Sequence, residues 1–247
     1  MADDTSMGGG SARFPETRWS AIEAARSDDP AERQRALETL IAAYWKPVYK
    51  YVRVHWNRSN EDAKDLTQEF FARLIEKDFL DTYDPGKARL RTFLRVCVDG
   101  VVQNADRAAR RLKRGGDAVM LPIDFEAAES ELGRSAAAAP EAFFEREWVR
   151  SLFELAVKGL KEECEARGKM MHFQLFERYD MDDSGERRPT YEQLAKEMGL
   201  AVTDVTNYLA WARREFRRIV LEKLREMTAS EDEFRREARA LLGVEGS

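Results

Sequence analysis

The chain has 247 residues, 43% hydrophobic and 35% charged, with 41 Lys and Arg against 46 Asp and Glu for a net charge of -5. That length suits one large domain or two small ones, and two small ones are expected. The longest apolar stretches, Phe93 to Val98 and Val119 to Ile123, fall far short of the ~20 residues a membrane span needs. The acidic, glycine-rich start lacks the basic and apolar segments of a secretory signal, so a cytoplasmic protein with no membrane partner is expected.

Residues 1 to 12 are rich in Gly, Ser and Asp with nothing to bury, and are expected to be disordered. From Ala31 to His55, Leu37, Leu40, Ile41, Tyr44, Trp45, Val48, Tyr51 and Val52 recur at helical spacing, with Pro47 inviting a kink or break. A short helix near Trp19 could precede this one. A second helix is predicted from Asn60, read as its cap, to about Lys77, ending before the Tyr83-Asp84-Pro85-Gly86 turn. A third runs from about Ala88 to Arg114 and stops at Gly115-Gly116, which makes residues 13 to 114 a first domain. Residues 115 to 140 read as a linker with local structure.

A second domain, 141 to 228, is predicted to hold helices from Pro140 to about Arg167, from Lys169 to Tyr179, and over about 190 to 198 and 203 to 228. Asp180 to Glu186 forms a surface loop between them. In the tail, 229 to 247, a short helix can begin at Ser230, where Glu233 completes a capping box. This segment is amphipathic enough to dock on the second domain and equally able to stay solvated. No strand-like alternation and no internal repeat occurs, so the fold class is all-α.

Cys97 and Cys164 lie far apart within apolar-periodic stretches, and His55 and His172 lack a second histidine or cysteine at ligand spacing. The Asp180 to Glu186 loop lacks the glutamate of a calcium loop, whose place is taken by Tyr191. Nucleophile-elbow, phosphate-loop and dinucleotide fingerprints are absent. No metal, cofactor or catalytic residue is expected, and the chain is not expected to be an enzyme.

The strongest local pattern runs from Tyr191 to Ala210 and reads as a helix-turn-helix. Small Ala195 lets two helices approach, Gly199 permits the positive φ that ends the first, and Val205 packs the second on the first. Thr190 with Gln193 forms a capping box, and Thr203 can cap the second helix. In a major groove Thr203, Asp204, Thr206, Asn207 and Tyr208 would meet base edges, with Arg213, Arg214, Arg217 and Arg218 along phosphates. A tight hairpin with a solvated arginine face is the simpler alternative.

The third predicted helix is locally basic, with Lys87, Arg89, Arg91, Arg95, Arg107, Arg110, Arg111, Lys113 and Arg114 against Asp99 and Asp106. Such a run can neutralise phosphates or simply be a solvated face. The second helix is acidic. On a helical wheel Leu66, Phe70, Phe71, Leu74 and Ile75 share one half with Thr67, while Asp62, Asp65, Gln68, Glu69, Arg73 and Glu76 hold the other. That polar half repels DNA and either stays solvated or docks a protein by charge complementarity.

An acidic helix, a basic helix, a linker and a helix-turn-helix, in that order, resemble a bacterial RNA polymerase sigma factor of the extracytoplasmic-function type. The strings that carry the resemblance are Asp62 to Leu74 and Tyr191 to Arg214. Thr17-Arg18-Trp19-Ser20, Arg91-Thr92-Phe93-Leu94 and Lys113-Arg114-Gly115-Gly116 support it. The resemblance implies that Asp65, Gln68 and Glu69, with Asp62 and Arg73 on the same face, would contact the clamp helices of core RNA polymerase. It implies that the Arg91 to Arg114 helix, with the loop before it, would open and read the minus-ten promoter element. The helix from Thr203 would read the minus-thirty-five element.

The sequence departs from the family at Asp99-Gly100, where relatives tend to carry Arg-Asn, which places an acid toward the expected DNA track. It also departs at Thr206 and Tyr208, where Lys or Arg is common, and at Ala210-Trp211, where a His-Arg pair is common. The expected partners are core RNA polymerase and promoter DNA, with an anti-sigma factor or other regulator admissible, and the free chain is expected to be monomeric. Two alternatives are a stand-alone helix-turn-helix transcription regulator and a degenerate sigma-like protein that occupies polymerase without opening promoters.

Overall fold

The computed structural model describes residues 21–76, 79–109, 123–130, 132, 139–182 and 188–243. The N-terminal segment, the Thr17 to Ser20 string, Arg110, Arg111, Lys113, Arg114 and Gly115-Gly116 lie outside the described residues. Within them every regular element is helical and no strand occurs, as the hydrophobic periodicity predicts.

A single turn, α1 (Ala21–Ala24), precedes α2 (Pro30–Val54). Asp29 caps α2 by accepting the Ala31 N–H at 2.9 Å, and Pro30 sits in the first turn, where its missing N–H leaves no helical bond unmade. The helix continues through Pro47, which is buried, so the break that this proline invites does not occur. Arg26, just after α1, donates to the Leu80 and Tyr83 carbonyls at 2.5 and 2.8 Å and so ties down the loop before α4.

The next helix, α3 (Asn60–Ile75), is capped by Ser59, whose Oγ accepts the Asp62 N–H at 3.1 Å. Asn60 is therefore not the cap. Its side-chain oxygen is taken by the Tyr49 hydroxyl at 2.8 Å, which leaves the neighbouring serine to satisfy the helix start. A 3-10 turn (Leu80–Thr82) and a turn in which Asp84 accepts the Gly86 N–H at 2.9 Å lead into α4 (Leu90–Ala109).

The segment read as a linker contains α5 (Phe125–Ser130), anchored on α2. The Phe125 ring lies edge-on to Trp45 and tilted beside Tyr49, and Glu129 accepts hydrogen bonds from Arg53 and shares the one Tyr49 hydroxyl proton with Asn60. The long helix α6 (Pro140–Ala166) packs along α2 and along α9. Then α7 (Met170–Phe176) ends in a π-helical turn (Glu177–Met181) and is followed by α8 (Tyr191–Met198), α9 (Val202–Glu226) and α10 (Glu231–Leu242).

Two apolar clusters hold these helices. The larger draws on α1 to α7, on α9 from Ala212 onward and on α10, so helices from both sides of residues 115–140 share one core. A buried ion pair crosses it, Lys50 Nζ of α2 to Glu147 of α6 at 2.9 Å. The smaller cluster joins Leu175, Leu194, Ala195, Val205 and Leu209 of α7, α8 and α9. No helix among the described residues is long and apolar enough to cross a membrane.

Candidate polymerase and nucleic-acid interfaces

The outer face of α3 is formed by the polar half of its wheel. Leu66, Thr67, Phe70, Phe71 and Leu74 are buried, whereas Asp62 and Asp65 are exposed and Gln68, Glu69 and Arg73 are half-exposed. On that face Glu69 pairs with Arg73 at 2.5 Å and Glu61 with Lys64 at 3.0 Å, each about one turn apart. Asp62 and Asp65 make no ion pair among the described residues, so the face keeps an uncompensated acidic edge. Thr67 is fully buried, and its hydroxyl has no hydrogen-bond partner among the described residues.

The arginines of α4 are placed differently from what their one-sided charge suggests. Arg91 is buried: its guanidinium meets Glu237 of α10 at 2.8 Å and Glu145 of α6 at 2.7 Å, and lies over the Trp148 ring at 4.7 Å. Burial pulls its pKa down, but the hydrogen bond and charge of Glu237, with Glu145 adding to them, outweigh that and hold it above the ordinary value. Arg89, more exposed, also reaches Glu237, at 3.0 Å. Arg95 pairs with Asp99 and Glu141, both at 3.1 Å. Arg107 alone among the α4 arginines is exposed with no ion pair among the described residues, and it donates to Asn104 at 3.3 Å.

Asp99 also corrects an expectation. It does not lie open along a DNA track. Its carboxylate accepts from Tyr51 at 3.0 Å, Trp56 at 2.9 Å and Arg95 at 3.1 Å, so its charge is spent inside the α2–α4 contact. Gly100, next to it, has open space where a Cβ would stand.

At the other end, α8 and α9 are joined by Gly199, Leu200 and Ala201. Thr190 and Gln193 make the expected capping box at the start of α8, and Gly199 closes it with φ of 66°. Ala195 and Val205 meet in the smaller core as their sizes suggest. The expected Thr203 cap is absent: Ala201 stands at the cap position without a side-chain bond, which leaves Thr203 inside the helix and exposed. Thr203, Thr206, Asn207, Ala210, Arg214 and Arg217 form one exposed stripe at helical spacing, with Asp204 half-exposed beside it. Arg214 and Arg217 make no ion pair among the described residues.

Three expected DNA-facing side chains of α9 are engaged within the protein. Tyr208 stacks on His172 with centroids 4.0 Å apart. Arg213 is gripped by both carboxylate oxygens of Asp180, at 2.8 and 2.9 Å, and lies 5.3 Å over the Tyr179 ring. Arg218 is surrounded by Glu163, Glu215 and Glu222. The Asp180 hydrogen bond is the chief reason the Arg213 pKa is raised.

Sequence reasoning missed Asp180, Glu145 and Glu237 as the groups that occupy these arginines. Glu237 did carry a signal: with Glu233 it stands one turn apart in the same stripe as Phe234 and Ala238. Carboxylates in an apolar stripe demand a buried cation. Asp180 and Glu145 carried none, since both read as ordinary surface acids.

Residues 40–112, from within α2 through α3 and α4, match the family model of sigma-70 region 2. The match covers under a third of the chain and supports a sigma-70 family sigma factor, a class of transcription regulators that bind RNA polymerase and recognise promoters. No curated protein and no solved structure matches the chain.

Proposed function

We propose that this chain is a sigma factor of the extracytoplasmic-function type, directing core RNA polymerase to specific promoters. The observation that carries the proposal is the coincidence of the sigma-70 region 2 match with α2 to α4, where α3 presents an acidic edge outward on a firm apolar base. Asp62, Asp65, Gln68, Glu69 and Arg73 of that edge dock on a basic surface of polymerase. Charge complementarity sets the docking rate and register.

In this reading residues 141 to 228 form the second functional unit and α8 with α9 act as a helix-turn-helix. The α9 stripe of Thr203, Thr206 and Asn207 enters the major groove of the minus-thirty-five element, and Arg214 and Arg217 contact phosphates. The start of α4 and Arg107 serve the minus-ten element. The acidic net charge suits a cytoplasmic, monomeric subunit that reaches DNA within the holoenzyme, where polymerase adds phosphate contacts.

The test is binding of the purified chain to bacterial core RNA polymerase, followed by anisotropy, with Asp65→Ala/Gln68→Ala/Glu69→Ala as the control. Tight binding that is lost in the triple variant is expected. Absence of binding at low salt would leave α3 a solvated face and favour a stand-alone DNA-binding regulator.

A further inference from the structure

The last helix is built in an unusual way for an amphipathic segment. Ser230 caps α10 by accepting the Glu233 N–H at 3.2 Å, and Glu233 reaches back to the Ala229 N–H at 2.9 Å. The buried side of α10 is Glu233, Phe234, Glu237 and Ala238, with Leu241 and Leu242 partly buried behind them. Two of those positions are therefore carboxylates where leucine would hold the helix more simply. Each costs desolvation, which the Ala229 N–H offsets in part for Glu233 and a well-placed cation offsets for Glu237.

That cation comes from α4. Glu237 and Arg91, 2% and 7% exposed, meet at 2.8 Å, and Glu237 also takes Arg89. A carboxylate hydrogen-bonded to the Arg91 guanidinium and ion-paired with that of Arg89 stands, in charge, where a backbone phosphate held by the same two arginines would stand. One guanidinium edge cannot serve both. Buried ion pairs also give little net stability once desolvation is counted, so docking through Glu237 holds α10 in place without making its release prohibitive.

We propose that α10 is a self-inhibitory clamp: Glu237 occupies Arg89 and Arg91 in the place of nucleic-acid phosphates, and α10 must leave before the start of α4 can bind DNA. This rests on the sigma-factor reading for the role of α4 and adds a regulatory step to it. Arg91 becomes a DNA ligand only in the opened chain. Because the clamp and DNA compete for the same groups, each must weaken the other by the same factor.

The full-length Glu237→Gln variant removes the charge and keeps the shape, and Asp232→Asn on the exposed side of α10 is the control. Two quantities are measured on each: hydrogen exchange over residues 231–242, and affinity for a fluorescein-labelled mixed-sequence DNA duplex across a salt series. In Glu237→Gln, α10 should lose protection and DNA should bind about fivefold tighter or more, as the competent fraction rises. The control should match wild type.

Lost protection with unchanged affinity overturns the clamp, as does protection that survives the substitution. Should Glu237→Gln fail to give a cooperative melt, wild type decides: saturating duplex must raise exchange in α10, and unchanged exchange overturns the proposal. Polymerase binding, measured separately, reports on the sigma reading. A chain that binds polymerase yet shows no coupling between DNA and α10 is a sigma factor without this clamp.

Discussion

The carboxylate of Asp99 accepts the indole N–H of Trp56 at 2.9 Å, and the same oxygen takes the Tyr51 hydroxyl at 3.0 Å. With Arg95 on the second oxygen at 3.1 Å, this one acid pins α4 to the end of α2. Asp99→Ala leaves the partly buried Tyr51 and Trp56 donors without this acceptor, while Arg95 keeps Glu141. It should cost ~2 kcal/mol, since an unmet buried donor is dearer than a lost exposed bond. The urea midpoint should drop with an unchanged slope, and Asp99→Asn, which keeps one oxygen, should lose less. An Asp99→Arg/Gly100→Asn chain places a cation against Arg95, so its loss of transcription would report a damaged α2–α4 contact. A midpoint unchanged in Asp99→Ala would show that these bonds carry no stability.

Lys50 and Glu147, each 2% exposed, join α2 to α6 through one ion pair, and Glu147 also touches Arg150 at 3.3 Å. Lys50→Met leaves the buried Glu147 carboxylate with only the longer contact to Arg150 and should destabilise by ~3 kcal/mol. Adding Glu147→Met removes that charge and frees the half-exposed Arg150 to turn to water, so the double variant should recover most of the loss. Denaturant unfolding of the two single and one double variants gives the coupling directly. Equal, additive losses would mean that the pair does not act as a unit.

These two contacts also show what was legible in the sequence. Helices announce themselves locally: the period of Leu66, Phe70, Phe71 and Leu74 fixes the buried side of α3, and Gly199 with the Thr190–Gln193 box fixes the ends of α8. Contacts between distant residues do not. Arg91 looks the same in sequence whether it meets a phosphate or Glu237, 146 positions later, because a charge run states a sign and not a partner. The choice between Ser59 and Asn60 as cap was similarly beyond local reach, since Tyr49 claims Asn60 from another helix. Asp180 took Arg213 out of the expected phosphate row by the same kind of long-range pairing.

That row can be divided by experiment. Arg214 and Arg217 are exposed and free of ion pairs among the described residues, whereas Arg213 is held by Asp180 and Tyr179. On duplex DNA, Arg214→Ala and Arg217→Ala should each lower the salt slope by about 1 and leave the melting temperature nearly unchanged. Arg213→Ala should do the opposite, leaving the slope alone and costing about 1 kcal/mol of stability, because its partially exposed pair is screened by water. A slope reduced by Arg213→Ala would show that the Asp180 pair opens on DNA.

His172 makes stability depend on pH in a range where carboxylates remain ionised. Its ring stacks on Tyr208 at 4.0 Å and meets the Trp211 edge at 5.0 Å, with a buried Nδ1 that has no hydrogen-bond partner among the described residues. Burial, and then the positive charge of Lys169, hold its pKa below the ordinary 6.5. The folded chain thus binds fewer protons than the unfolded one between those two values, and stability rises with pH across that interval. The contribution is whole above about pH 6.5, the value in the unfolded chain, and is lost as pH falls through the lower folded value. His172→Phe keeps a ring on Tyr208 and removes the titration, and no bond from Nδ1 is given up. From about pH 7.5 down to about 5.5, the melting temperature of wild type should fall relative to that of His172→Phe, with the gap constant above that range. Parallel curves across the whole interval would show that the ring takes its proton equally well folded and unfolded, and that the stack on Tyr208 tolerates the charge.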